Sequence, residues 1–128
     1  MKDNILKEKT LDFSIKILTL FNSLKNNKNE KVISNQIVRS GTSIGANVNE
    51  AEFAQSRRDF IHKCSLALKE ANETKYWIKV LKFSDYINEV KYKELLEEIN
   101  SIISILVSSV KTAKKGLKKQ RGNYYERG

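Results

Sequence analysis

The segment RSGTSIGANVNEA, residues 39–51, decides how this chain folds. It holds Gly41 and Gly45, two of only five glycines among 128 residues, and the chain has no proline. The segment is either a loop or a helix that a neighbouring element approaches closely. A phosphate-binding loop is a weaker alternative, because no strand precedes the glycines and no lysine stands where a P-loop needs one.

Hydrophobic spacing favours the helix. One stripe of a helix collects Ile37, Gly41, Ile44, Val48 and Ala51, and Gly45 lies beside it. Ser34 precedes the stripe and is an N-cap residue type, so we predict a helix from Ser34 to about Ala54. Each glycine costs about 1 kcal/mol of helix propensity relative to alanine. A compensating close contact with a neighbouring helix is therefore expected at both positions.

The same spacing predicts three further helices. The first covers about residues 3–26 and ends at KNNKNEK, and the third follows a cap at Ser56 and reaches about Phe83. The fourth follows SDYINEV and carries a broad apolar face up to Ala113. Four helices of similar length with short connections predict an all-α fold. The expected architecture is an up-down-up-down four-helix bundle over residues 1–113.

Residues 114–128, KKGLKKQRGNYYERG, differ in composition and predict a basic flexible tail. Residues 111–128 hold seven Lys or Arg and one Glu, and so supply six of the nine net positive charges of the chain. Clustered cations attract phosphates independently of sequence. The candidate nucleic-acid-binding residues are Lys111, Lys114, Lys115, Lys118, Lys119 and Arg121, with Arg57, Arg58 and Lys63 as a second group. The alternative for both groups is an ordinary solvated surface.

Apolar residues on outward helix faces predict self-association, because a monomer would expose them. Such stripes occur opposite the core face of the first helix and on the third helix. The outer strip of the second helix is polar and short-chained, which suits a flat contact surface. The predicted oligomer interface comprises Leu11, Ile15, Leu18, Arg39, Ser43, Asn47, Glu50, Leu66, Trp77 and Val80.

Groups suited to nucleophilic catalysis are scarce. His62, the one histidine, lies far from Cys64 on the helical wheel, which disfavours a Cys–His pair. Cys64 is the one cysteine, so an internal disulfide and a multi-cysteine metal site are excluded and a reducing compartment is favoured. No signal peptide or membrane span is recognisable. The expected location is the cytoplasm.

Carboxylates could gather between the second and third helices, where Glu50, Glu70 and Glu73 lie. Di-iron bundles use such groups, but they also require Glu-x-x-His pairs, which this chain lacks. The predicted role of these glutamates is hydrogen bonding and ion pairing, with Arg39 as a partner. We therefore expect no enzymatic activity, no cofactor and no metal.

RSGTSIGANVNEA and DFIHKCSLALKEANETKYW, residues 59–77, together resemble the paired signature of bacterial 23S rRNA intervening sequence, or S23-type, proteins. The resemblance covers about residues 5–110. It implies four-helix subunits in a homopentameric ring, often encoded within 23S rRNA genes. More distantly, the chain is similar to the accessory variability proteins of diversity-generating retroelements, which are basic pentamers that bind nucleic acid and a reverse transcriptase.

The resulting expectation is a non-catalytic oligomer, most simply a pentamer, that binds RNA or DNA through its basic surface and tail without strong sequence specificity. The alternative is a protein-interaction ring or scaffold that docks a partner protein.

Overall fold

The computed structural model describes residues 2–127, with the side chains of residues 5–120 and 122. It contains α1 (Lys2–Asn27), α2 (Val32–Glu52), α3 (Arg57–Phe83) and α4 (Glu89–Arg127). No strand occurs in residues 2–127. Each helix packs against the next one in sequence, and α4 closes the bundle against α1. The predicted all-α, up-down-up-down four-helix bundle is confirmed.

The core lies between the four helices and is almost entirely aliphatic. Its largest side chains with no more than 1% exposure are Phe13, Ile17, Leu24, Ile37, Ile44, Ile78, Leu81, Leu95, Ile99, Ile102 and Leu106. Cys64 is a small member of this core at 1% exposure. The hydroxyl oxygens of Ser40 and Thr74 lie 2.8 Å apart in the buried contact between α2 and α3. These polar atoms are therefore hydrogen-bonded despite their burial.

α2 is continuous through both glycines, as the sequence predicts. Gly41 is buried, and a Cβ built there would lie 2.9 Å from Cγ2 of Ile17 on α1. A Cβ on Gly45 would lie 3.3 Å from Oγ of Ser14 and 3.4 Å from the carbonyl oxygen of Thr10. The missing side chains thus allow α1 to approach α2 closely. This contact is the compensation expected for the low helix propensity of glycine.

The predicted N-cap of α2 is wrong. Ser34 lies inside the helix and is buried, and its hydroxyl donates a hydrogen bond to the carbonyl oxygen of Glu30, 2.8 Å away. The Glu30 carboxylate instead accepts hydrogen bonds from the backbone N–H groups of Ile33 (2.9 Å) and Ser34 (2.7 Å). A negative charge is also favourable at the positive end of the helix dipole. Glu30 therefore satisfies free amides at the actual start of α2, the role expected of Ser34 at the predicted start.

The cap predicted for α3 is confirmed. The Ser56 hydroxyl accepts a hydrogen bond from the backbone N–H of Asp59 at 3.0 Å. The Asp59 carboxylate in turn accepts one from the backbone N–H of Gln55 at 3.3 Å. This reciprocal arrangement fixes the start of α3, where two arginines follow the cap.

An ion-pair cluster links α1 to α4. The Lys16 ammonium binds the carboxylate of Glu98 and lies 3.5 Å from a carboxylate oxygen of Glu94. The hydrogen bond to Glu98 raises the pKa of Lys16 above its ordinary value. The pKa of Glu94 is lowered, first by its hydrogen bond to Lys91. Both shifts favour the charged forms, so Lys16 and Glu94 are ionised at neutral pH.

α4 does not end near Ala113. The helix continues to Arg127, which corrects the expectation that regular structure is lost in residues 114–128. Leucine, lysine, glutamine and arginine are good helix formers, and cations are favourable at a helix C-terminus. Ala113 is buried, and Gly116 and Leu117 are partly buried, so the apolar stripe of α4 persists beyond the expected boundary. The flexibility of this segment stays a prediction.

Within residues 2–127, none of the helices combines the length and hydropathy needed to cross a bilayer.

Candidate nucleic-acid interface

The start of α3 and the end of α4 lie at the same end of the bundle. α4 has 39 residues and α3 has 27, and the two are antiparallel neighbours. Arg57, the first residue of α3, contacts Gly116 of α4. The residues that follow Gly116 therefore continue past the start of α3, and residues 117–127 span about 16 Å of helix. We refer to residues 111–127 as the α4 extension.

The α4 extension carries one continuous basic surface, which we term the lysine face. It consists of the exposed residues Lys111, Lys114, Lys115, Lys118 and Lys119. Helical geometry places these five residues within an arc of about 140° and along about 12 Å of the axis. The partly or fully buried positions 113, 116 and 117 lie on the remaining side. The lysine face thus points away from the bundle.

No acidic residue interrupts the sequence between Glu98 and Glu126. The ion pairs among the described side chains all involve other cations, including Lys7, Lys16 and Lys82. The positive charge of the lysine face is therefore not neutralised by acidic side chains of the described region. Such an accumulation attracts polyanions.

The two predicted basic groups are only partly brought together. Arg57 contacts the α4 extension at Gly116, and Arg58 is exposed next to it. Lys63 lies further along α3, and its ammonium is 3.5 Å from the carboxylate of Glu50 on α2. Lys63 is therefore directed to α2 and not to the α4 extension. The side chain of Arg121 is outside the described set.

The apolar stripe predicted on α1 is open to solvent. Leu11, Ile15 and Leu18 are 63%, 57% and 49% exposed. The residues predicted on α3 differ, because Leu66, Trp77 and Val80 are partly buried and Trp77 packs against the core. A single subunit was expected to expose apolar stripes on both α1 and α3. Only the stripe on α1 is formed by exposed residues. Among the described helices, α1 presents a continuous outward apolar stripe opposite its core face.

The predicted ion pairing of the carboxylates with Arg39 is confirmed. The Arg39 guanidinium lies 3.2 Å from a carboxylate oxygen of Glu70 and binds the carboxylate of Glu73, both on α3. Glu73 also accepts a hydrogen bond from the indole N–H of Trp77 at 3.1 Å. Glu50 has a different partner, Lys63. These carboxylates thus serve to join α2 to α3.

Two side chains of the polar strip on the outside of α2 donate hydrogen bonds to the α2 backbone. The Ser43 hydroxyl donates to the carbonyl oxygen of Arg39 at 2.6 Å, and the Asn47 amide donates to the carbonyl oxygen of Ser43 at 2.9 Å. The Ser43 and Asn47 side chains lie against the α2 backbone and project little from it, so this part of the helix surface is flat. Another surface that packs on the strip would therefore leave these two donors paired.

Among the described residues, no group of three or more His, Cys, Asp or Glu side chains is arranged to hold a metal ion. His62 is exposed and Cys64 is buried, so their side chains do not share one site. The contact between Arg57 and Gly116 was missed by sequence reasoning. Its one sequence signal is a glycine in the middle of a lysine-rich helix.

The model of the 23S rRNA-intervening sequence protein family matches residues 2–108. A crystal structure of a protein of unknown function from the S23 ribosomal protein family of Bacteroides thetaiotaomicron is similar to this chain, with a TM-score of 0.85 and 50% sequence identity. The similarity covers 87% of this chain and 99% of that one. No curated protein matches the chain. The match over residues 2–108, the four helices and the two glycines that pack α2 against α1 lead to one conclusion: the chain belongs to the 23S rRNA-intervening sequence protein family.

Proposed function

We propose that this protein is a non-catalytic homo-oligomer that binds RNA or DNA through the α4 extension and the start of α3. The observation that supports this proposal is the lysine face, five exposed lysines on one side of a helix with no acidic side chain between residues 98 and 126. Lysine ammonium groups neutralise phosphates without reading bases. The proposed binding is therefore strong at low salt and weakly dependent on sequence.

A matched pair of double variants tests the proposal. Lys114→Gln with Lys118→Gln removes two charges from the lysine face, and Lys28→Gln with Lys31→Gln removes two exposed charges from the opposite end of the bundle. We expect the first pair to reduce the log–log salt slope of oligonucleotide binding by about 1.4 to 1.8 per chain engaged, because each phosphate contact contributes about 0.7 to 0.9. The control pair should leave the slope nearly unchanged.

Fluorescence anisotropy with a single-stranded RNA and with a duplex, over a series of salt concentrations, provides the slopes. Equal slope losses in the two double variants would show that only net charge matters and would exclude the lysine face as a site. Absence of binding by the unmodified chain at low salt would reject nucleic-acid binding. The protein-interaction ring or scaffold that docks a partner protein would then be the better hypothesis.

The proposed assembly is a homopentamer, as the S23-type resemblance implies, with the α1 stripe as part of its interface. Exposed apolar stripes of this kind favour burial against another subunit. The flat polar strip of α2 is a second contact candidate, because Ser43 and Asn47 already donate hydrogen bonds to the α2 backbone. Association would also bring several lysine faces to one particle and strengthen their attraction to a polyanion.

The oligomer prediction is tested by Ile15→Lys, which places a charge in the middle of the α1 stripe. Light scattering should give the unmodified protein a mass of five times the 14.8 kDa chain and should give Ile15→Lys a much smaller mass. Asn100→Lys, at an exposed position on α4, is the control and should assemble normally. A monomeric unmodified chain would contradict self-association. A dimer would contradict the pentamer and still assign a partner to the α1 stripe.

A further inference from the structure

We propose that Gly116 positions Arg57, so that the start of α3 and the lysine face bind one polyanion as a single surface. This inference rests on the proposed nucleic-acid binding and adds a positioning residue to it. The two elements are separated by more than 50 residues in sequence and meet through the contact between Arg57 and Gly116.

The Arg57 guanidinium occupies the space that a side chain at position 116 would fill. Its Nη1 atom would overlap a Cβ at position 116, and Cζ and Nε lie 2.7 Å and 3.4 Å from that Cβ position. Gly122, six residues further along the same helix, has no atom within 4 Å of its Cβ position. Among the described glycines of α4, only Gly116 therefore has the side chain of another residue in the space that its own side chain would fill.

Arg57 lies beside one edge of the lysine face. Helical geometry places Lys119, three residues after Gly116, next to it on the surface of α4. Asp59, the first acid of α3, accepts a hydrogen bond from the backbone of Gln55. A guanidinium next to the edge of the lysine face offers planar N–H donors beside point charges, and the two kinds of donor together suit a phosphate group. Holding Arg57 in place before binding also lowers the entropy lost on binding.

Gly116→Ala should disturb the contact with Arg57 without unfolding the bundle. The added methyl group takes the space of the guanidinium, and Arg57 is an exposed side chain that can turn into solvent. Gly122→Ala makes the same chemical change in the same helix, with the same gain in helix propensity, and touches nothing. The pair therefore differs only in the displacement of Arg57.

The first measurement uses the protein without nucleic acid. In ¹⁵N-labelled protein, the Nε–H signal of Arg57, assigned by its loss in Arg57→Lys, reports how ordered the side chain is. We expect an ordered Arg57 in the unmodified chain and in Gly122→Ala, and a mobile one in Gly116→Ala. Equal order in the two alanine variants would overturn the inference.

The second measurement is binding of a single-stranded RNA oligonucleotide. Gly116→Ala is expected to bind about two- to tenfold more weakly than Gly122→Ala, because one side chain is no longer positioned in advance. Arg57→Ala should weaken binding at least as much, and adding Gly116→Ala to it should have no further effect. Normal binding by Arg57→Ala or by Gly116→Ala would overturn the inference.

If the unmodified chain binds no oligonucleotide, the proposed function fails and the shared polyanion surface fails with it. The order of Arg57 then still decides whether Gly116 positions this side chain. The two failures are thus distinguishable.

Discussion

A chain that ends at Ala113 is expected to lose most of the salt-dependent affinity of this protein for RNA. The four lysines that it lacks from the lysine face, at positions 114, 115, 118 and 119, would account for a loss of about 2.8 to 3.6 in the log–log slope per chain engaged, at about 0.7 to 0.9 per phosphate. The bundle should remain folded, because Ala113 is the last buried residue of α4 among those described. Gel-shift titrations at two salt concentrations measure the effect, and circular dichroism checks the fold.

The full-length chain with those four lysines changed to glutamine is the matched control. It keeps the helix and removes only the charge, so it should lose nearly as much slope as the truncated chain. If the truncated chain binds with the same affinity and slope as the full chain, the α4 extension is not the site. If the truncation weakens binding and the four glutamine substitutions do not, the α4 extension contributes to binding through groups other than these four lysines.

Replacing Gly41 by leucine should be the most destabilising single change considered. A Cβ at this position would already lie 2.9 Å and 3.1 Å from two carbons of Ile17, which is 0% exposed in the core. Leucine adds three more carbons to the same buried space. We expect the free energy of unfolding to fall by about 3 kcal/mol, the upper part of the range for overpacked cores. Urea unfolding followed by circular dichroism gives this value.

Two further variants identify the cause of that loss. Ala46→Leu introduces the same side chain at an exposed position of α2 and should cost under about 0.5 kcal/mol. Ile17→Ala in the Gly41→Leu chain opens space at the clash, so the double variant should be more stable than the sum of the single losses predicts. A Gly41→Leu chain as stable as the original would mean that α1 and α2 do not meet at this point. All samples need one protein concentration, since self-association would shift apparent stability.

Hydrophobic spacing was sufficient to predict the four helices, because each of them buries one stripe. The same reasoning placed Gly41 on the core face, which the contact with Ile17 confirms. It failed at the start of α2, where Ser34 lies on the buried stripe and is no longer available to cap the helix. The backbone at Asn29 has a positive φ of 54°, and the turn there leads into the Glu30 carboxylate that caps α2. No residue-type rule used on the sequence anticipated that turn.

The sequence predicted too early an end for α4, because the basic composition of residues 114–128 was given more weight than the hydrophobic spacing. Gly116 and Leu117 follow Ala113 by three and four positions, so these residues continue the buried stripe of the preceding turns. Their small or isolated apolar side chains made the pattern weak beside seven basic residues. The strong helix propensity of lysine was also left out of that argument.

The sequence could predict which residues of the candidate site are exposed on each helix, but not how residues of different helices contact each other. A helical wheel identifies the exposed lysines of α4, since it needs no knowledge of other helices. The partners of Arg57 and Lys63 depend on how α3 is aligned with α4 and with α2, which the core and the connections set. The sequence therefore placed both residues in one group, whereas the structure directs them to different neighbours.

The extra length of α4 concentrates uncompensated positive charge at one end of a molecule whose longest helix measures about 58 Å. A charge distribution of this kind is a permanent dipole, and the field of a phosphate polymer exerts a torque on it. The protein would turn its basic end towards the polymer before the two touch, so a larger share of collisions begins in a productive orientation. This guidance extends over roughly one Debye length, about 10 Å at 0.1 M salt, and it shortens as salt is added. The association rate should therefore be more sensitive to ionic strength than the dissociation rate is.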